Sequence, residues 1–382
     1  MMRNLFSIPT IHRPVNHKPV RMLLTSLAIT FVWLLFGQGA AQAQSEWPDN
    51  LSKPPRATEP TTVEMSLYLD DVNRIDVATN SFEVTGQLVM EWYDERLKSL
   101  FEPGGTRTVL EFEGGAVPDV LAQLWHPALE IMNERGQRNT GVHSLDIHPD
   151  GRVKLYEKFD SVAHLEGDMH LFPFVQVKLR LAFSAFVQNQ SELILQAQRF
   201  EFEHGESADT VIVGPWRFVA MTFSEDATKR SDEPETLYSR VDFVLAVQRN
   251  LLSGIAIFLL PILLIWICLF GLLWLDLAEF NAGASPRIGE MLTLLLTAVA
   301  LQLTLESRLP TVHYLTLPPL LIYATLLLVT IGISISVFHV HHYHRHSKEQ
   351  ALAFGRVARW ALPALAFLIT IFIVLALFLQ TQ

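Results

Sequence analysis

Four apolar runs, 251–274, 288–305, 317–338 and 360–379, crowd the carboxyl end of the chain. At about 1.5 Å of rise per helical residue, each can cross most or all of the roughly 30 Å hydrocarbon core of a bilayer. Lipid accepts only helices or closed barrels, because a spanning backbone must satisfy its own N–H and C=O groups. The runs therefore predict an all-α, four-helix transmembrane domain over 250–382. Pro261 inside the first run predicts a kink, its freed carbonyl satisfied by neighbouring helices.

What precedes the runs has a different period. From Val63 to Val247 short alternating stretches such as FEVTGQLVMEW and RVDFVLAVQ are broken by Gly, Pro, Asn and Asp. This pattern predicts an all-β, immunoglobulin-like sandwich over 44–249, with Asp226 to Glu235 as an exposed hairpin tip between two late strands. Residues 1–43 read as a signal peptide, with basic residues up to Arg21, an apolar run 22–36 and Ala41-Gln42-Ala43 as the cleavage signal.

An exported sandwich followed by four crossings puts both it and the carboxyl terminus outside, in the periplasm if the membrane is the inner one. Arg345, Lys348, Arg356 and Arg359, opposed only by Glu349, then fall in a cytoplasmic loop, as the positive-inside bias requires. Between Gln44 and Asn250 the net charge is −15, against −10 for the whole chain, so this part attracts cations and repels nucleic acid. The lone cysteine, Cys268, excludes an intrachain disulfide.

The second run carries a stripe. At 100° per residue Gly289, Thr293, Leu296, Ala300, Leu303 and Ser307 lie within about 40° of one direction, small or hydroxylic at several levels with a leucine midway. Two readings fit. Several copies around an axis would line a pore, with Leu296 as an apolar ring that closes by dewetting. Alternatively the small residues let neighbouring helices pack closely.

WYDERL at 92–97, WHPALEIMN at 125–133, DGRVKLYEKF at 150–159, DMHLFPF at 168–174 and ESRLP at 306–310 occur in that order ahead of or among the runs. Together with the leader, sandwich and four helices they resemble the pentameric ligand-gated ion channels, in the prokaryotic branch lacking the Cys-loop disulfide. The resemblance implies a homopentamer in a lipid bilayer, passing inorganic ions and opened by an unidentified small-molecule agonist or by protons. It places the six stripe residues along the pore and makes the 306–311 loop, with Arg308 and Pro310, the receiver of the push from the sandwich. Pro173 and Phe174 of the FPF motif would share that coupling.

This chain departs from the family pattern in three places. Where relatives commonly read FPFDxQ, it has Phe172-Pro173-Phe174-Val175-Gln176, so the acid that usually faces the arginine ending the last strand, here Arg249, is missing. Asp76 is the expected substitute partner, with lipid phosphates as the alternative. The aromatic agonist cage is represented by Phe186 and Tyr238, with Asn133 as a further candidate contact. Ahead of the second helix, Ala284-Ser285-Pro286-Arg287 resembles the Pro-Ala-Arg of anion-selective relatives, yet Glu290 stands where it can pair with Arg287. With Glu306 at the outer mouth and an acidic sandwich, the balance favours cations; an anion-selective channel is the alternative.

Trp92, Trp125 and Trp216 read as framework, each indole buried with its N–H satisfied. His339, His341, His342, His344 and His346 read as a solvated helix end rather than a metal site, since no acid or cysteine completes a ligand set. His126, His143, His148, His164, His170 and His204 leave room for modulation by protons or divalent cations, while Glu201, Glu203 and Glu206 read as solvated acids of a loop near the subunit boundary, with weak calcium binding as the lesser reading. No cofactor is implied. No phosphate loop, nucleophile elbow or zinc-protease helix occurs, so the chain does not read as an enzyme. A non-conducting, membrane-anchored ligand sensor is the competing function, and a transporter a third.

Overall fold

The computed structural model describes residues 47–380, apart from 48–49, 57–58, 102–107, 137, 276–284 and 346–347. The expected leader, 1–43, lies outside the described residues. Ten strands form two sheets: β1 Thr61–Asp76, β2 Ser81–Tyr93, β3 Leu110–Glu113, β4 Leu129–Ile131, β5 Asn139–Ile147, β6 Arg152–His164, β7 Gln176–Ala185, β8 Leu193–Phe202, β9 Trp216–Lys229 and β10 Leu237–Arg249. One sheet is ordered β3-β5-β6-β2-β1-β8 and the other β4-β7-β10-β9. All pairings are antiparallel except β1 with β8.

Alternation gives this architecture its core. Along β6 every second residue from Val153 to Ala163 is buried, and its Phe159 meets Phe183 of β7 edge-on, ring centres 6.1 Å apart. Phe183 in turn meets Phe243 of β10 at 5.9 Å. Two of the sequence motifs are joined at the sandwich edge. Asp94, fully buried, accepts from the Arg96 backbone N–H at 3.0 Å and from the guanidinium at 2.9 and 2.7 Å, capping the turn Glu95–Leu100. Its own N–H donates to the Gly151 carbonyl, and Gly151, at φ +91°, passes so close that a Cβ would lie 2.7 Å from the Asp94 backbone carbonyl oxygen.

Trp92 and Trp125 are buried as expected and meet edge-on at 6.1 Å, but neither indole N–H has a hydrogen-bond partner among the described residues. The hairpin tip is also shorter than the polar run suggested. Asp226 to Lys229 belong to β9 and pair with β10, leaving only 230–236 as the turn.

Four helices follow: α1 Leu251–Trp274, α2 Ser285–Glu306, α3 Leu317–Arg345 and α4 Lys348–Gln380. Each carries a stretch long and apolar enough to span a membrane. Ile255–Leu259 forms a π-turn, the Leu260 N–H donating to the Ile255 carbonyl, so the α-helical ladder is interrupted just before the proline. Leu269, Met291, Ala298, Leu328 and Leu362 meet in the bundle core. The Trp266 Nε1 donates to Thr325 Oγ1 at 2.9 Å, tying α1 to α3.

Candidate pore and coupling interface

The stripe on α2 is on the outside of the subunit. Gly289, Thr293, Leu296, Ala300, Leu303 and Ser307 are all exposed, Leu296 by 69% and Leu303 by 65%. The opposite face, Met291, Ala298 and Leu305 at seven-residue spacing, is buried to 3% or less. The helix therefore packs on its apolar side and leaves the small and hydroxylic side unpartnered within its own subunit. Thr293 Oγ1 donates to the Gly289 carbonyl at 3.0 Å, and Ser307 Oγ to the Thr304 carbonyl at 3.2 Å. With their protons directed along the helix, these hydroxyls present lone pairs outward.

Arg287 does not pair with Glu290. Its side chain is turned into the subunit, 7% exposed, and forms no ion pair among the described residues, whereas Glu290 is exposed. Burial of the Arg287 end of the helix against the bundle separates two groups that helical spacing alone allowed to meet.

At the sandwich end of the helices two segments of sandwich grip the bundle. The β1–β2 turn holds Thr311, whose hydroxyl donates to the Ala78 carbonyl at 2.7 Å and whose carbonyl accepts from Asn80 Nδ2 at 3.0 Å. The 168–174 loop holds the α2–α3 connection. Leu317 N–H donates to the His170 carbonyl at 3.0 Å, and Met169 N–H to the Tyr314 hydroxyl at 3.1 Å. Pro173 lies on α1 at Gly254, where a Cβ would come within 2.9 Å of the proline ring. Phe172 is fully buried edge-on against Phe258 of α1, ring centres 5.3 Å apart.

Arg249 sits within this joint without the expected partner. Asp76 is engaged elsewhere: one carboxylate oxygen pairs with Arg74 Nη2 at 2.8 Å, and the other accepts the Ala78 and Thr79 N–H groups of its own turn. The Arg249 guanidinium instead lies among Phe172, Trp216 and Phe258, 5.6–5.9 Å from each ring centre, and its Nε has no hydrogen-bond partner among the described residues. Burial, and then the like charge of Arg308, hold it below the ordinary arginine value. Three aromatic faces replace the missing acid.

A family model decides what this assembly of parts is. That of the neurotransmitter-gated ion-channel ligand binding domain matches residues 46–251. The chain belongs to that family of ligand-gated ion channels. Its single cysteine agrees with the branch lacking the Cys-loop disulfide, and membership makes it a channel protein and not an enzyme. A proton-gated ion channel of Gloeobacter violaceus is 25% identical over 327 residues, 85% of this chain and 86% of that one. A glutamate-gated chloride channel subunit beta of Haemonchus contortus is 21% identical over 70% of this chain and 60% of its own. A gamma-aminobutyric acid receptor subunit beta-4 of Gallus gallus is 21% identical over 69% and 51% respectively.

Within this channel, the candidate agonist contacts divide. Phe186 and Tyr238 are brought together, but the space between them holds the chain's own cation. The Arg230 carbon Cζ is 4.9 Å from the Phe186 ring centre and 5.5 Å from that of Tyr238. Its Nη1 donates to the Phe186 carbonyl at 2.7 Å, and Nε and Nη2 donate to the two Asp232 oxygens at 3.1 and 2.9 Å. Asn133 is not an open contact: Nδ2 donates to the carbonyls of His164 and Arg180, and Oδ1 accepts the Ala182 N–H. It ties the segment after β4 to β7 and to the end of β6 instead.

In the carboxyl-side tract His339 is buried against Gly355 and Phe354, and the side chains of His342, His344 and His346 lie outside those described. Tyr314, Gly254 and Arg230 escaped the sequence reading, and Thr311 entered it only as the end of the 306–311 loop. Tyr314 and Thr311 stand among the few polar residues between two apolar runs, which was the one available signal.

Proposed function

We propose that the chain assembles as a homopentamer in the inner membrane, sandwich and carboxyl terminus outside, and forms a cation-selective channel opened by protons acting on the extracellular side. The observation that carries this reading is the unpartnered α2 stripe, whose six residues face out of the subunit while Met291, Ala298 and Leu305 face in. A helix facing only lipid has no use for hydroxyls and small residues on that side, whereas a water-filled axis does.

Cation preference is supported by the outward lone pairs of Thr293 and Ser307, the exposed Glu290 and Glu306, and the inward turn of Arg287. Protons are favoured over an amine because Arg230 already fills the aromatic pair, and because the relative matched over most of both chains is named for proton gating.

Reconstitution in planar bilayers under a sodium chloride gradient, with the outer face stepped from alkaline to acid, tests the reading. Acid-evoked currents reversing toward the sodium equilibrium potential are expected. Reversal toward the chloride potential overturns the selectivity, and silence at every pH overturns the proton as agonist.

A further inference from the structure

The ring of His170 lies flat on that of Tyr314, centres 4.0 Å apart and planes 11° from parallel. Its Nδ1 meets Asp168 Oδ1 at 2.5 Å, and the same carboxylate oxygen accepts the His170 backbone N–H at 2.9 Å. The backbone bonds from Leu317 to His170 and from Met169 to Tyr314 flank this stack. The imidazole thus lies in the seam between a sandwich loop and the connection joining α2 to α3.

We propose that His170 is a proton-binding site at this seam, and that a proton bound there tightens the hold of the 168–174 loop on the α2–α3 connection. This rests on the proton reading above and names where one such proton acts. A neutral imidazole on a phenol ring is a plain stack; an imidazolium there is a cation on an electron-rich face with a carboxylate at its edge. Histidine is the side chain that ordinarily changes charge between about pH 5 and pH 8.

The groups facing the ring are few. Asp168 comes from its own loop, and Tyr314 from the α2–α3 connection, with His313 edge-on to the far tyrosine at 5.6 Å. No other charged side chain is in contact with the ring among the described residues.

Asp168 itself stays ionised over the relevant range. Burial pushes its carboxyl up, but the hydrogen bonds from the His170 backbone and ring, and the imidazolium charge, outweigh this and hold it below the ordinary carboxylate value. Its contribution is present above that value and is lost only as pH falls through the depressed one. On this proposal the contacts of a cation with the Tyr314 face and the Asp168 carboxylate exist only while the ring carries its second proton.

The test uses the full chain in lipid, comparing wild type with His170→Gln, which keeps a polar side chain of similar reach but binds no proton, and with His313→Gln as control. Two readouts are taken: the pH of half-maximal current and the Tm at about pH 5 and about pH 8. His170→Gln is expected to need about three- to tenfold more protons for half-activation. It should also lower Tm more in acid than near pH 8, while His313→Gln does neither. If the His170→Gln pH profile and Tm difference match wild type, the site is overturned. Should wild type pass no current at any pH, the proton as agonist fails, and the Tm comparison alone still decides His170. If His170→Gln does not fold, Tyr314→Leu takes its place: loss of the acid-dependent part of Tm supports the stack, and its retention overturns it.

Discussion

Replacing Leu296 by alanine is expected to lower the stimulus needed for half-maximal current by about eightfold, with conduction intact. Leu→Ala removes apolar surface worth roughly 2.4 kcal/mol per side chain at about 0.8 kcal/mol per carbon. If about a tenth of that bears on closure in each of five copies, closing weakens by about 1.2 kcal/mol, or about eightfold in the equilibrium. The side chain is 69% exposed within its subunit, so its removal leaves little cavity there and the fold is expected to tolerate it. Dose or pH response of the reconstituted variant checks this; an unmoved midpoint would place the constriction at another level, with Leu303 next in line.

The second large effect is expected at Gly254, through the joint rather than the pore. Even one carbon added there comes within 2.9 Å of Pro173 and 3.3 Å of its neighbouring ring atom. A helical glycine replaced by alanine gains about 1 kcal/mol of helix propensity, which opposes the clash, so alanine is the milder change. Valine adds two further carbons toward a ring that cannot rotate away. Overpacking of this kind costs about 1–3 kcal/mol. Gly254→Val is therefore expected to lower Tm and displace the loop that also carries Phe172 and His170, shifting the gating midpoint by about five- to a hundredfold. A variant with both Tm and midpoint unchanged would mean that this contact does not transmit force.

The contrast between these two positions shows what a sequence discloses. The Leu296 stripe was legible because helix period alone fixes which residues share a face, whatever the face meets. The four spans were legible for the same local reason, although α3 and α4 run past the apolar limits. The polar residues at 339–345 and 348–359 continue each helix beyond what hydropathy marks. The sandwich followed from alternation.

The resemblance named the 306–311 loop, Pro173 and Phe174 for the joint, but its individual contacts were not legible, because they are made by residues far apart in the chain. Thr311 meets Ala78 and Asn80 across separations of 233 and 231 residues, and Tyr314 meets Met169 across 145. The Asp76–Arg249 pairing failed on a local detail that period cannot supply: the carboxylate closes its own turn and takes the adjacent Arg74. Arg230 was missed because charge in a polar hairpin tip reads as solvated, whereas here the tip folds back on two rings.

In the proposed channel the exposed face of α2 surrounds the ion path. Cysteines placed singly at Thr293, Ala300 and Leu303, and for comparison at Ala298, in a Cys268→Ser background, test it in reconstituted channels exposed to a charged, thiol-specific reagent. Irreversible block of current is expected at the three stripe positions and none at Ala298. Reaction at Ala298, or persistent current with the stripe cysteines unreactive in open channels, would contradict it.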